Sequence, residues 1–155
     1  LEFYNKYQEI IQEYNEGKDL EAIRKAFEAL VKFVNEMSEE EHRAAKEGLD
    51  EETLAIYDLL RKDSLTIKEQ EKVKKLSRET LAKLKEGQLN VQRWRESSQI
   101  SAQVITIIHD QLLHLPQNSY PDEEVETRVS DVYQHVYSNY HGGGQSTYSN
   151  NASRV

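Results

Sequence analysis

The chain has 155 residues, 37% of them hydrophobic and 31% charged, with a formal net charge of −8. That length suits one ordinary domain and cannot hold two large cores, and the balance, apolar share below a globular average of roughly 45% and charged share above about 25%, suits helices with solvated faces. The acid excess argues against bulk binding to a polyanion, whose affinity comes from cations displacing counterions, and the absence of cysteine excludes a disulfide framework and thiolate metal sites.

Phe3, Tyr7, Ile10, Ile11 and Tyr14 make a helical stripe closed by Gly17, where a left-handed cap costs glycine nothing. Asp19 can cap the next helix, whose apolar set is Leu20, Ile23, Phe27, Leu30, Val31, Val34 and Met37. The short turn makes these two helices antiparallel neighbours. Ser38 with Glu41 matches a capping box that opens a short helix ending near Gly48. Asp50 caps another, carrying Leu54, Tyr57 and Leu60. Thr66 with Glu69 makes a second capping box for a helix with Val73, Leu76, Leu81 and Leu84, stopped at Gly87.

From Val91 the sequence VQRWRESSQISAQVITIIHDQLLHLP reads as one long helix ended by Pro116. Val91, Trp94, Ser98, Ala102, Ile105, Ile108, Leu112 and Leu115 form one stripe, and Ile100, Val104 and Ile107 a second. Apolar surface on two sides predicts burial against several partners. A last helix, PDEEVETRVSDVYQHVYSNY, starts with Pro121 at its first position and acids in its first turn. No stretch alternates as a sheet strand does, and both prolines fall in one loop. The predicted fold is all-α: a single irregular bundle of about six helices over residues 1–140. Residues 141–155, rich in Gly, Ser, Asn and Tyr, are predicted to be a disordered tail. No apolar run reaches the roughly 18 residues of a membrane span and no signal segment opens the chain, so a soluble, unexported protein without membrane contact is expected. A start at Leu1, helical by Phe3, suggests a piece of a longer polypeptide.

Three strings imitate chemistry. His141-Gly142-Gly143-Gly144 matches the oxyanion-hole string of some lipases but has no G-x-S-x-G elbow to serve. Pro121-Asp122 resembles the opening of a nuclease core, yet no lysine follows Lys85. Glu39-x-x-His42 has the spacing of di-iron bundles, which need a second copy and two further glutamates. Each is better explained as helix-terminal or loop chemistry. Asp110 with His114, and Asp131 with His135, stand four apart and suit surface pairing on a helix face. The basic concentration lies in Lys68–Lys85. Its Lys72, Lys74, Lys75 and Arg78 are the candidate DNA contacts, although interleaved acids usually mark a solvated face. Arg93-Trp94-Arg95 is a second, smaller cationic patch. No nucleophile–base pair or metal constellation emerges, so no catalytic, cofactor-binding or metal-binding residue is assigned.

The order QRWRESSQISAQVITIIHDQLLHLP, a Tyr-Pro turn, then DVYQHVYSNY resembles the carboxyl-terminal region of the motor/restriction (R) subunit of type I restriction enzymes. A Trp followed by basic residues opens a long helix, and a last helix carries Tyr133, His135, Tyr137 and Tyr140. EYNEGKDLEAIRKAFEALVKFVNEM and EGLDEETLAIYDLLRK also fit, so the likeness runs from about residue 10 to residue 140. Gln92 departs from the pattern, where the family often has an acid. The resemblance implies a non-catalytic fragment of a bacterial, cytoplasmic ATP-dependent DNA translocase and endonuclease. Upstream domains of the parent would bind ATP and Mg and cut DNA; this fragment would need no cofactor. It further implies docking onto the methyltransferase core of modification and specificity subunits, contact with the upstream motor domains of the same chain, and DNA engagement mainly through the parent complex. Trp94, Tyr133, Val136, Tyr137 and Tyr140 are the candidate partner-binding residues, since tyrosine is enriched in interface cores. The alternative is an accessory domain that touches DNA through the Lys68–Lys85 helix during translocation.

Overall fold

The computed structural model describes residues 5, 8, 9, 11, 12, 15, 16 and 20–149. Phe3, Tyr7, Ile10, Tyr14, Gly17 and Asp19, which define the first predicted helix and the cap of the second, lie outside the described residues. The chain divides into two compact units, residues 1–51 and 52–155, a division that the expectation of one domain over 1–140 does not draw. Among the described residues there are six α-helices and one small hairpin, the all-α architecture the sequence predicts.

In the first unit, α1 (Leu20–Glu36) and α2 (Glu39–Glu47) are separated at Ser38. The Ser38 hydroxyl accepts from the Glu41 N–H at 3.2 Å, satisfying one of the free donors of a helix start. At the other end Gly48 takes a left-handed φ of 72°. Its N–H donates to the Ala45 carbonyl, and that of Leu49 to Ala44, a pairing that closes a helix on a glycine. The predicted apolar stripe of α1 is rotated in the structure. Ala26 and Phe33 are the buried residues, whereas Leu20, Phe27 and Val31 are 84%, 57% and 43% exposed. At about 100° per residue Ala26 and Phe33 share a line, and Phe27 and Val31 stand about 100° and 140° round from Ala26. Periodicity identified the helix but not which edge of a broad apolar face is covered.

The second unit carries most of the core. Helix α3 (Glu51–Leu60), whose first residue belongs to the first unit, buries Leu54, Ile56, Tyr57 and Leu60. Helix α4 (Ile67–Glu86) opens on the full capping box, with Thr66 Oγ1 accepting from Glu69 N–H and Glu69 Oε1 from Thr66 N–H. It buries Val73, Leu76, Leu81 and Leu84, together with Ser77 and Thr80, whose hydroxyls donate to the carbonyls four residues back at 2.8 and 2.7 Å. Buried hydroxyls paired in this way carry no desolvation penalty of an unmet group.

The long helix expected from Val91 is broken. Short 3-10 turns occupy Gln88–Asn90 and Trp94–Glu96, Arg93 between them has a left-handed φ of 56°, and α5 begins only at Ser98, capped by Ser97. Within α5 (Ser98–Leu112), Val104, Ile108, Gln111 and Leu112 are buried, with Leu115 just beyond. Ala102 is exposed and Ile105 is 40% exposed, so the two predicted stripes resolve into one buried face with half-covered edges at Ile100 and Ile107.

Helix α6 (Asp122–Asn139) starts directly after Pro121, with Asp122, Glu123 and Glu124 in its first turn. It buries Val125, Val129, Val132 and Val136, a regular three- and four-residue spacing that makes one narrow apolar line. Residues 141–149, expected to begin a disordered tail, fold back instead. Strands β1 (Tyr140–Gly142) and β2 (Gln145–Ser146) pair antiparallel. Residues 150–155 lie outside the described residues.

Candidate functional site

The end of α6, the broken 88–97 connector and the glycine hairpin meet around Trp94. Its side chain is fully buried, and its indole N–H donates to the Tyr140 carbonyl at 3.1 Å, so the one polar atom of the ring has a partner. The ring packs edge-to-face on Tyr137, with centroids 6.0 Å apart and planes at 83°. Ser101 Oγ holds the Trp94 carbonyl at 3.3 Å.

Glycine is required at position 142, where backbone crowds it, and is favoured by left-handed φ at 143 and 144. Gly142, Gly143 and Gly144 all have positive φ, at 100°, 63° and 79°. A Cβ on Gly142 would stand 2.8 Å from the Arg93 nitrogen and 3.0 Å from the Val91 carbonyl oxygen, and one on Gly143 would strike the Gln92 side chain at 2.5 Å. Only a bare backbone approaches that closely. Gly143 N–H donates to the Val91 carbonyl and Gly144 N–H to that of Leu89, each at 3.2 Å. The lipase-like string is therefore a packing device, and the reason for it lies about 50 residues upstream in the chain.

Of the candidate partner residues, Trp94, Val136 and Tyr140 are core side chains, at 0%, 0% and 3% exposure. That corrects their candidacy as direct contacts, because a residue sealed from water has no surface to offer. Tyr137 remains open at 44%, and Tyr133 is half-buried beside it with ring centroids 6.1 Å apart. Arg95, noted in the sequence only as part of a small cationic patch, is a third member. Its guanidinium lies 5.5 Å from the Tyr137 ring centroid and its Nη1 donates to the Tyr137 carbonyl at 3.0 Å. Cation and ring fix each other, and an aromatic flanked by a braced arginine is the composition of an interface anchor.

The basic helix is less uniform than its sequence. Lys74 is turned inward at 8% exposure, with its Nζ 5.7 Å from the Tyr57 ring and 3.6 Å from Glu71, and drops out of the candidate DNA contacts. Lys75 is exposed and pairs with Glu79 at 3.8 Å. Lys72 and Arg78 are exposed. The Asp131–His135 and Asp110–His114 carboxylate pairs do not form as predicted: His135 Nδ1 meets Asn139, and His114 Nδ1 meets the Asp110 carbonyl. Burial pushes His135 below the usual imidazole value, and its Nε2 is buried without a partner. His109 turns to Glu126 at 3.1 Å.

The opposite end of α6 is tied by polar groups. Lys62 donates to Glu124 at 2.6 Å and to the Ser119 carbonyl, while Arg128 donates to Glu124 and to the Leu59 carbonyl. The hydrogen bond from Lys62, with that from Arg128, holds the Glu124 carboxyl below its usual range. Ser119 donates to Glu69, which is lowered for the same kind of reason. Tyr120 donates to the Leu60 carbonyl, and burial raises its phenol to about 12. Among the described residues no three His, Asp or Glu side chains gather as a metal site, and no helix is long and apolar enough to cross a membrane.

No curated protein and no solved structure matches the chain. The resemblance read from the Trp-basic helix and the tyrosine-rich last helix is borne out over nearly the whole sequence. The family model described as type I restriction enzyme HindI endonuclease subunit-like, C-terminal, matches residues 1–140, and the chain belongs to that family.

Proposed function

We propose that residues 52–149 form a non-catalytic docking domain that holds a type I restriction motor subunit on its methyltransferase core of modification and specificity subunits, in the bacterial cytoplasm. Tyr137 is the anchor, with Tyr133 and Arg95 at its sides. The observation that carries this reading is the exposure of Tyr137 while its backbone and ring are both braced by Arg95 and Trp94. A rigid, half-exposed aromatic adds contact area at small entropic cost on association. The acidic net charge favours a protein partner over a polyanion. ATP and Mg would be bound, and DNA cut, by upstream domains of the parent, to which this domain would also be joined.

Mixing the chain with the methyltransferase core and resolving the mixture by size exclusion tests this. Co-elution is expected, with at least about tenfold weaker binding for Tyr137→Ala, as for a hot-spot aromatic. Separate elution, together with failure to compete with the full motor subunit, overturns it. The alternative of a DNA contact through Lys72, Lys75 and Arg78 would appear as salt-dependent duplex binding lost on charge reversal at those three positions.

A further inference from the structure

The hairpin stands just beyond the part of the chain that the family model matches, which ends at residue 140. It touches the body of the second unit in a particular way. Its turn is three glycines and brings no apolar side chain to the connector; beyond the turn one ring contact and one backbone bond reach the end of α6, the Tyr148 ring lying 6.1 Å from that of Tyr140 and the Thr147 N–H donating to the Asn139 carbonyl at 2.9 Å. Its attachment to the connector is two backbone hydrogen bonds, to Val91 and Leu89, and the close backbone approach at Gly142. Under it lies the chain's single tryptophan, whose Cδ1 is 3.5 Å from the position of a Cβ on Gly142. The helices underneath are held by different means: the valine line of α6, the Val104–Ile108–Leu112 face of α5 and the buried leucines of α4. None of those side chains comes from residues 141–149.

We infer that residues 141–149 are a releasable clasp over Trp94: closed, it fastens the 88–97 connector to the end of α6; open, it uncovers the indole edge while the helices stay folded. The physical ground is the contrast in fastening. Local opening selects segments with few buried apolar contacts and leaves the densely packed elements intact. The left-handed Arg93 is held in that conformation by the closed hairpin, because a non-glycine residue keeps a positive φ only when its surroundings impose it.

Trp94 reports the state of the clasp directly. Two variants are compared with the wild-type chain: Gly142→Ala, which drives a methyl into the Arg93 amide, and a chain ended after Tyr140, which retains the indole's carbonyl acceptor. Helical content is followed by circular dichroism and Trp94 accessibility by acrylamide quenching and by exchange of the indole N–H. Gly144→Ala serves as the control for backbone strain alone, since its φ is positive but its nearest contact is the Asn90 side chain at 3.3 Å. In both variants helical content is expected to stay near wild type, Trp94 quenching to rise at least about threefold and indole exchange to speed up at least about tenfold, with the control changing less. Unchanged quenching and exchange would overturn the clasp. So would loss of helical content in both variants, which would make the hairpin part of the cooperative core. Neither readout involves the methyltransferase core, so the result stands apart from the docking reading.

Discussion

The two ends of α6 are fixed by opposite chemistry. At its start, Glu124 is shared by Lys62 and Arg128, whose side chains are 24% and 22% exposed, and the neighbouring Tyr120 hydroxyl reaches the last carbonyl of α3. At its finish, Trp94, Val136 and Tyr140 are sealed and the cross-links are an indole bond and backbone bonds from glycine. The first end is a charged network that tunes geometry and responds to pH. The second is a packed knot whose stability comes from apolar area, with one exposed ring, Tyr137, at its rim. The two ends therefore suit different tasks. Ion pairs that water still reaches are weakened by screening, whereas a buried indole excludes water and holds its neighbours still.

The two ends should respond differently to substitution. Trp94→Ala is expected to have the largest effect, a loss of about 3–5 kcal/mol, as for other buried aromatics; a loss below about 1 kcal/mol in urea unfolding would show that no packed knot holds this end. Tyr120→Phe comes next. It leaves the Leu60 carbonyl without its donor at a buried position and is expected to cost about 1–2 kcal/mol, and an unchanged urea midpoint would contradict that assignment.

Smaller effects should appear with pH, separately for the two ends. Glu124 and Glu69 have folded values below 4.5. Their stabilisation is complete above 4.5 and is lost as pH falls through the lowered values, because the unfolded chain takes up protons first. His135 has a folded value below 6.5, so its contribution, present above 6.5, begins to fade at milder acidity. Urea midpoints measured from pH 7 to pH 3 should show both stages. His135→Gln should flatten the first, and Lys62→Met with Glu124→Gln should flatten part of the second; a single transition unaffected by either would refute the assignment. Tyr120 works in the other direction: with its phenol raised to about 12, stability is full below 10 and is lost as pH rises through about 12.

The smallest expected change in stability is that of Tyr137→Ala, within about 1 kcal/mol because the ring is already half in water. It should nevertheless weaken docking more than any α6 start variant. Equal weakening by Lys62→Met would move the interface to the other end of the helix.

Much of this was legible locally. Ser38 with Glu41, Thr66 with Glu69, and Gly48 and Gly87 at helix ends lie where short-range capping rules place them, since a cap needs partners only three or four residues away. The Val125–Val136 line and the first-turn acids of α6 were equally plain. Two features of the site were visible without their meaning: Arg95 stood out as a cation beside Trp94, and Gly142–Gly144 as a string resembling an oxyanion hole. What each touches depends on residues 42 or more positions away, and no local pattern encodes such a distance.

Most of the helices with their caps, and the tyrosine-rich last helix, follow from the sequence because each rests on spacing within a turn or two, while the family followed from the resemblance of whole strings. The tertiary structure alone decided which edge of α1 is covered, that Lys74 points inward, and that the helix expected from Val91 breaks at Arg93. At that break the Val91 and Leu89 carbonyls accept from the Gly143 and Gly144 N–H groups, which come from far along the chain. In place of helical hydrogen bonds within residues 91–97 the structure has a buried Trp94 and backbone bonds from the glycine turn, partners that no spacing within a turn or two encodes.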